Sequence, residues 1–301
     1  MNQGTRQDLV FISVILVPLV VLVGILIYLP ALDSLITSFT NENLRILRHP
    51  KFIWLNNYSK LIENSEFWTV TLRSLLVVTL TLPLELIISL GLALLLTEVF
   101  PGRAIVRTLI ILPWMLPPIV NGFLWGWLLN GEYGALNGLL YQLGFIDEYV
   151  TWLKNPDTQV LWVAVVQTWT RFAFPTIILL AGLQSIPMDL LDAAKVDGAS
   201  SWQTFRNIIL PLLMPSIAVA LTIEFIASLQ IFDVIWTLTA GGSAGGAINP
   251  FTKTLKLYNY ELVFRDLRIG LGAALSYLIL FLSLGVAIVF VTRLYNQAVK
   301  T

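Results

Sequence analysis

The sequence predicts an all-α integral membrane protein with six transmembrane helices. Hydrophobic residues make up 57% of its 301 residues and charged residues 12%, and the mean hydropathy is +0.81. These values lie outside the usual range of soluble globular domains. Apolar runs long enough to cross a bilayer, which takes about 20 residues in a helix, recur along the chain. We expect one membrane domain over residues 1–301, embedded in a lipid bilayer.

Six apolar runs, separated by polar or glycine-rich loops, account for the six helices. No small-residue cleavage site follows the first run, which favours an uncleaved helix over a signal peptide. The third run contains Pro113, Pro117 and Pro118, and we expect this cluster to kink it. The predicted spans cover residues 9–29, 67–96, 104–129, 158–183, 212–238 and 269–291.

Charge and cysteine content exclude several classes of function. The 18 Lys and Arg balance the 18 Asp and Glu, so nothing in the net charge favours a nucleic-acid partner. The sequence has no cysteine, which excludes disulfides and thiolate chemistry. Its single histidine, His49, cannot build a metal site alone, and we expect it in a solvated loop. No metal site is predicted.

Six spans place both termini on one side of the membrane. Lys and Arg are divided almost evenly between the two sides, but the side that carries the termini has the shorter connections. The positive-inside rule applies most strongly to short loops and to positions near helix ends. We therefore expect both termini in the cytoplasm.

The most informative stretch, residues 185–211, lies between the fourth and fifth spans. Pro187 suits the start of a helix, and Asp189 and Asp192 favour its positive N-terminal end. Gly198 permits a turn before a second helix that carries Trp202, Phe205 and Arg206. A short helix-turn-helix of this kind, too short to span, is expected on the membrane surface. It suits either an interfacial connector without a partner or an element that docks on a soluble protein.

This stretch resembles the EAA loop of binding-protein-dependent ABC importer permeases, the MetI-like family. The family pattern is an acidic residue, two alanines, three residues, glycine, nine residues, isoleucine, one residue and then Leu-Pro. The acidic position is usually glutamate, so the aspartate here has a shorter reach. The matching residues are Asp192, Ala193, Ala194, Gly198, Ile208, Leu210 and Pro211.

The resemblance implies a type I ABC importer permease of the bacterial cytoplasmic (inner) membrane. In this family the loop inserts into a groove of a cytoplasmic ATPase subunit. The chain has no GxxxxGK[ST] loop, so two separate ATPase subunits would hold ATP and Mg²⁺, and the chain itself would be neither an enzyme nor a cofactor protein. A second related permease, different from this chain, and an external solute-binding protein are the other implied partners. The implied coupling residues are Asp192, Ala193, Ala194, Asp197 and Gly198.

A second, weaker resemblance points to the carbohydrate-uptake branch of these permeases. Members there carry a T-x-G-G stretch, then T-x-T-L-x-x-Y, and a glycine-alanine run that opens the last helix. A sugar, oligosaccharide or sugar-like polyol is the implied substrate. The corresponding residues are Thr239, Gly241, Gly242, Thr252, Thr254, Leu255, Tyr258, Gly270, Gly272, Ala273 and Ala274.

Polar residues inside the predicted spans are candidates for solute binding, because ionisable groups are costly there. Arg171 lies near the middle of the fourth span and Glu224 near the middle of the fifth. Planar polar side chains combined with an aromatic face suit a polyol. An Arg171–Glu224 ion pair that merely locks two helices is the alternative. The full candidate set is Gln167, Arg171, Phe174, Glu224, Ser228 and, more weakly, Asn121.

Other polar positions and other functions stay open. For Glu85 in the second span, a structural hydrogen bond to a neighbouring helix is the better interpretation. Trp114 and Trp125 suit an interfacial aromatic belt. An autonomous secondary transporter is the functional alternative from another class, although no internal repeat supports it. An importer for glycerol phosphate or another small polar solute is the second alternative.

Overall fold

The computed structural model describes residues 14, 16–46, 49–239 and 249–298, and every long element among them is a helix. This confirms the all-α class. The helices in chain order are α1 (Leu16–Ser38), α2 (Asn56–Glu63), α3 (Ser65–Thr97), α4 (Arg103–Met115), α5 (Pro118–Leu128), α6 (Ala135–Gln142), α7 (Pro156–Arg171), α8 (Ala173–Gln184), α9 (Met188–Val196), α10 (Ser201–Leu229), α11 (Asp233–Leu238), α12 (Leu255–Tyr260) and α13 (Ile269–Ala298).

Six apolar segments of the described chain are long enough to cross a membrane. Four are unbroken helices, α1, α3, α10 and α13. The other two are bent pairs: α4 and α5 meet at 97°, and α7 and α8 meet at 51°. With each pair counted as one span, the six segments correspond to the six predicted ones.

Proline explains both bends. Pro117 forces the preceding Leu116 into an extended conformation (ψ 137°), so α4 ends there and α5 starts at Pro118. The predicted kink in the third span is therefore confirmed, and it is sharper than a kink within one helix. Pro175 lacks an N–H, and its ring crowds the carbonyl of Arg171 four residues earlier. That is where α7 stops, a break in the fourth span that the sequence analysis missed.

Two predicted spans have wrong boundaries. The first was expected to end at residue 29, but α1 continues to Ser38, because a π-helical turn at Gly24–Tyr28 precedes Pro30 and lets the helix continue through it. The fifth was expected over residues 212–238. Instead, α10 starts at Ser201 and ends at Leu229, and the last part of the predicted span forms the separate α11.

The chain divides into two compact units. The single domain over residues 1–301 therefore stays a prediction. The first unit comprises residues 1–65 and 259–280. In it, Asn57 Nδ2 donates hydrogen bonds to the backbone oxygens of Ser38 (2.8 Å) and Thr40 (2.7 Å), which fixes the end of α1. Arg45 pairs with Asp266 at 3.6 Å. His49 is exposed in this unit, as predicted.

The second unit, residues 66–258 and 281–301, contains two apolar clusters. In chain order, three ionisable residues lie between members of the two clusters: Glu85 on α3, Arg171 on α7 and Glu224 on α10. One cluster is built around Ala93, Leu96, Ile110, Phe172, Leu179, Leu183, Leu213 and Ile217. The other is built around Val77, Leu129, Val163, Val166, Ile231, Val234, Ile235 and Leu257.

Candidate functional site

The segment between α8 and α10 forms the predicted helix-turn-helix. Helix α9 ends in a turn at Gly198, whose φ of +75° lies in the left-handed region that glycine tolerates best. The N–H of Ala199 donates to the carbonyl of Ala194 (2.9 Å), which closes the turn. Ser200 and Gln203 then form a reciprocal capping box that starts α10.

The second helix of this motif differs from the prediction. It was expected to be a short surface helix, but it is the first part of α10 and continues through a π-helical turn at Phe205–Ile209 into the membrane span. Trp202 therefore lies near the start of the same 29-residue helix that carries Glu224. At about 1.5 Å per residue, the two side chains start about 33 Å apart along one continuous helix.

The predicted coupling residues are mostly accessible. Asp192, Ala193, Asp197 and Gly198 are exposed, and Asp192 pairs with Lys195 at 2.9 Å on the surface of α9. Ala194 differs, since it is buried against its own chain. Of the two alanines, only Ala193 is therefore open to another protein. The exposed surface also carries large apolar side chains, namely Met188, Leu190, Val196 and Trp202.

Arg171 and Glu224 form the ion pair that the sequence analysis weighed as an alternative to solute binding. The guanidinium donates from Nε to Glu224 Oε2 at 2.5 Å and from Nη2 to Glu224 Oε1 at 3.2 Å. This two-point geometry is the strongest arrangement for a guanidinium and a carboxylate. The Glu224 side chain is 1% exposed and that of Arg171 is 24% exposed, so one face of the arginine remains open.

Glu85 lies close enough to this pair to interact electrostatically with both members. It was expected to hydrogen-bond to a neighbouring helix, and this expectation is wrong: neither carboxyl oxygen has a hydrogen-bond partner among the described residues. Instead Ser89, one turn further along α3, donates to the carbonyl of Phe172 at 2.8 Å, at the bend between α7 and α8. Serine is short enough to let the two helices approach there.

A cavity of about 220 Å³ opens beside the ion pair. Two predicted residues line it, Gln167 and Arg171. Three further polar residues line it. Thr170 belongs to α7, and Gln230 and Asp233 reach the cavity because the chain breaks between α10 and α11 at this point. With one continuous helix predicted over residues 212–238, Gln230 and Asp233 were not expected in the site, although two polar residues flanking Ile231 and Phe232 in an apolar run were a signal of a break.

The remaining predicted residues do not line this cavity. Glu224 and Ser228 are fully buried, Glu224 in its pair with Arg171, and the Ser228 hydroxyl has no hydrogen-bond partner among the described residues. Phe174 belongs to α8, beyond the bend, and packs against Trp114 with ring centroids 5.8 Å apart. Asn121 is buried and donates from Nδ2 to the Pro113 carbonyl (2.9 Å), across the α4–α5 bend.

The fold and these features define a multi-pass membrane protein with an exposed helix-turn-helix and a polar site within its membrane-spanning bundle. The family model described as "Binding-protein-dependent transport system inner membrane component" matches residues 86–301. The chain belongs to this family, which confirms the resemblance drawn from residues 192–211. It is a transport permease component of an inner membrane and not itself an enzyme.

Similar proteins extend the match over nearly the whole chain. The trehalose/maltose transport system permease protein MalF of Thermococcus litoralis is 34% identical over 91% of this chain and 90% of its own. The sulfoquinovosyl glycerol transport system permease protein SmoG of Agrobacterium fabrum is 34% identical over 98% and 92%. The trehalose transport system permease protein SugA of Mycobacterium tuberculosis is 30% identical over 87% and 80%.

A solved structure has the same fold. It is a chain of a bacterial ABC transporter involved in the import of the acidic polysaccharide alginate, and it matches with a TM-score of 0.79 at 23% identity over 99% of this chain and 98% of that chain. The same transporter type in complex with an alginate pentasaccharide-bound periplasmic protein matches with a TM-score of 0.77 at 22% identity, over 96% and 94%. The predicted type I permease fold is thereby confirmed.

Proposed function

We propose that this chain is the membrane-spanning subunit of an ATP-driven importer that moves a sugar, an oligosaccharide or a sugar-like polyol into the cytoplasm by alternating access. The observation that carries the proposal is the continuity of α10. One helix joins the exposed helix-turn-helix to the buried Arg171–Glu224 pair. We call residues 185–202, which include α9, Gly198 and Trp202, the surface segment. A force applied at the surface segment is transmitted along a packed helix to the polar site, because helices move as rigid elements.

The surface segment is the proposed docking site for the ATPase. Ala193 and Gly198 offer little side-chain volume, which allows close approach of a partner backbone, and the exposed Val196 and Trp202 offer apolar area around them. ATP and Mg²⁺ are held by two separate ATPase subunits. A second related permease and an external solute-binding protein complete the proposed complex, with both termini of this chain in the cytoplasm.

The cavity beside Arg171 is the proposed solute site. Gln167 and Gln230 offer paired donors and acceptors, and the open face of Arg171 adds donors in a planar array. Hydroxyl groups on adjacent sugar carbons can form paired hydrogen bonds with such planar groups. At about 220 Å³ the cavity is smaller than the roughly 300–1,000 Å³ of drug-sized sites, so it suits about one sugar unit at a time. Relatives named for trehalose/maltose and sulfoquinovosyl glycerol transport support this solute class.

A matched pair of glycine variants tests the coupling role. Gly198 and Gly144 both have left-handed backbones (φ +75° and +72°), and neither has an atom near the place where a Cβ would stand. Leucine at either position therefore strains the chain by a similar amount, about 1–2 kcal/mol. We expect Gly198→Leu to insert into the membrane as well as Gly144→Leu does, but to lose ATP-dependent uptake in the reconstituted complex.

Copurification of the ATPase subunits with each variant identifies the step that fails. Loss of ATPase binding in Gly198→Leu alone, or ATP hydrolysis without uptake, supports docking through this turn. Normal ATP-dependent uptake by Gly198→Leu would exclude the proposed coupling role. Equal loss in both variants would mean that backbone strain, rather than docking, is responsible.

A further inference from the structure

A second cavity, of about 310 Å³, lies where α3 ends and α4 begins, against the last two turns of α8. Its walls are almost entirely apolar. Only Thr176, Gln184 and Arg107 bring polar groups to it, and Gln184 is the last residue of α8 before the surface segment. The cavity therefore opens at the same end of the helices as the proposed ATPase docking segment. The apolar residues that line it are Leu96, Ile110, Ile111, Ile177, Leu180 and Ala181.

Two arginines lie one turn apart in the first part of α4, beside this groove. Arg107 lines the cavity, and Arg103 is the first residue of the helix. The Nε–H of Arg103 is buried and has no hydrogen-bond acceptor among the described residues. The ion pairs formed by the described residues include neither arginine, and Glu98 in the adjoining turn is exposed and pairs with neither of them. Arg107 is exposed and Arg103 is half-buried, so the two arginines keep accessible surface for an anion.

We propose that this groove holds one acyl chain of an anionic phospholipid, with the lipid phosphate bound between Arg103 and Arg107. The apolar walls suit hydrocarbon, and a pair of guanidinium groups suits a phosphate. The N-terminus of α4 adds a partial positive charge at the same place. Both arginines lie where a helix enters the membrane, which is the depth of a phospholipid headgroup. Basic pockets between transmembrane helices at the cytoplasmic surface are suited to anionic headgroups.

Lipid binding to the purified full-length chain tests the proposal. Native mass spectrometry from micelles that contain equal amounts of phosphatidylglycerol and phosphatidylcholine measures which lipid stays bound. We expect the wild type to retain phosphatidylglycerol preferentially. Because each basic residue near an anionic lipid surface contributes a factor of about five to binding, Arg103→Gln and Arg107→Gln should each reduce the preference about fivefold and the double variant about 25-fold.

Variants of the groove separate lipid from free phosphate as the source of the anion. Ala181→Trp fills the groove and should abolish retention of phosphatidylglycerol, whereas Ile105→Trp, on an exposed face of α4 outside the groove, should leave retention unchanged. Retention that persists in Ala181→Trp, or that inorganic phosphate competes away, would limit the site to a phosphate and overturn the acyl-chain assignment. Equal retention of both lipids by the wild type would overturn the anionic preference. A cross-link from Ala181→Cys to a second permease subunit would show that protein fills the groove.

The groove and the proposed solute site share no lining residue, so the lipid proposal and the sugar-import proposal stand independently. A circular-dichroism melt of each variant shows whether the fold is retained. A loss of lipid binding in an arginine variant whose melting temperature is unchanged supports the site. Unchanged lipid binding in the double arginine variant rejects it.

Discussion

Glu85 and Glu224 are buried to the same degree, each about 1% exposed, yet their surroundings are opposite. Glu224 accepts two hydrogen bonds from Arg171, whereas Glu85 accepts none from the described residues. One guanidinium can neutralise one carboxylate, so the second carboxyl group beside it has no compensating charge. Substitution of Glu224 therefore measures the stability lost when a buried ion pair is broken. Substitution of Glu85 measures the effect of removing a buried carboxyl group that has no partner among the described residues.

Amide substitutions at these two positions should have opposite effects on stability. Glu224→Gln leaves Arg171 without its carboxylate and should destabilise the chain by about 3–5 kcal/mol, toward the lower value because Arg171 keeps 24% of its surface exposed. Glu85→Gln removes an unpaired buried acid and should be neutral or stabilising within about 1 kcal/mol. Thermal unfolding of each purified variant in the same detergent measures the difference.

The double variant Arg171→Gln, Glu224→Gln serves as the control. Because it removes both charges together, we expect it to recover part of the stability that Glu224→Gln loses, which is the signature of a coupled pair. A Glu85→Gln variant as unstable as Glu224→Gln would mean that Glu85 has an essential partner in the folded state. Equal stability of all the variants would mean that the pair contributes nothing to the fold.

Which residues meet within the bundle could be predicted only in part. The Arg171–Glu224 pair was an explicit alternative, because opposite charges at the same depth of two spans are each costly alone. The cavity was missed because its lining depends on where helices break. Gln230 and Asp233 become cavity residues only when α10 ends at Leu229. The sequence shows that these two positions are polar, but only the position of the helix break shows that they face the cavity.

At the scale of the helices, the bounds of the second span are predicted to within two residues. The second span was expected over residues 67–96 and α3 covers Ser65–Thr97. Helix α3 continues through Pro83, whereas Pro175 breaks the fourth span and Pro117 the third. A proline removes the same hydrogen bond in each case, and packing against neighbouring helices decides whether the helix continues. Sequence alone does not contain that packing.

Helices α5 and α11 cross at a glycine, and their packing should depend on it. A Cβ on Gly122 would lie 1.7 Å from Thr237 Oγ1 and 2.9 Å from Thr237 Cβ. Since Thr237 is buried and its hydroxyl is bonded to the Asp233 carbonyl at 2.8 Å, it has little room to move. We expect Gly122→Ala to destabilise the chain by about 1–3 kcal/mol, measured by thermal unfolding.

Gly126→Ala, one turn further along α5, is the matched control. Its Cβ would meet only Leu238 Cδ1, at 3.9 Å, which is ordinary contact. Alanine is the better helix former, so this variant should be unchanged or more stable by up to about 1 kcal/mol. If Gly122→Ala unfolds at the same temperature as Gly126→Ala, the two helices do not pack through this glycine.

The glycine-rich stretch at residues 241–246, part of the weaker family resemblance, lies outside the described residues.

At the scale of the whole molecule, the number of membrane crossings depends on the bent pairs. Four unbroken helices cross by length and composition, and the pairs α4–α5 and α7–α8 each form either one crossing or a re-entrant loop. If each pair crosses, the loop between α5 and α7 lies on the side opposite the surface segment. If both pairs are re-entrant, that loop lies on the same side as the surface segment. The side on which this loop lies therefore shows whether α4–α5 crosses, and the side on which the surface segment lies then shows whether α7–α8 crosses as well.

Single cysteines distinguish these arrangements directly, because the sequence has none of its own. Glu148 is exposed in the loop between α5 and α7, and Val99 is 91% exposed in the turn between α3 and α4. We expect a membrane-impermeant maleimide to label Glu148→Cys in intact cells, and Val99→Cys only after the membrane is permeabilised. This result would establish that the pair α4–α5 crosses the membrane. Labelling of Val196→Cys, which is 87% exposed in the surface segment, only after permeabilisation would then establish that α7–α8 crosses as well, with the surface segment in the cytoplasm. Labelling of both positions only after permeabilisation would indicate that the pair α4–α5 is re-entrant, and labelling of Val99→Cys alone in intact cells would reverse the proposed orientation.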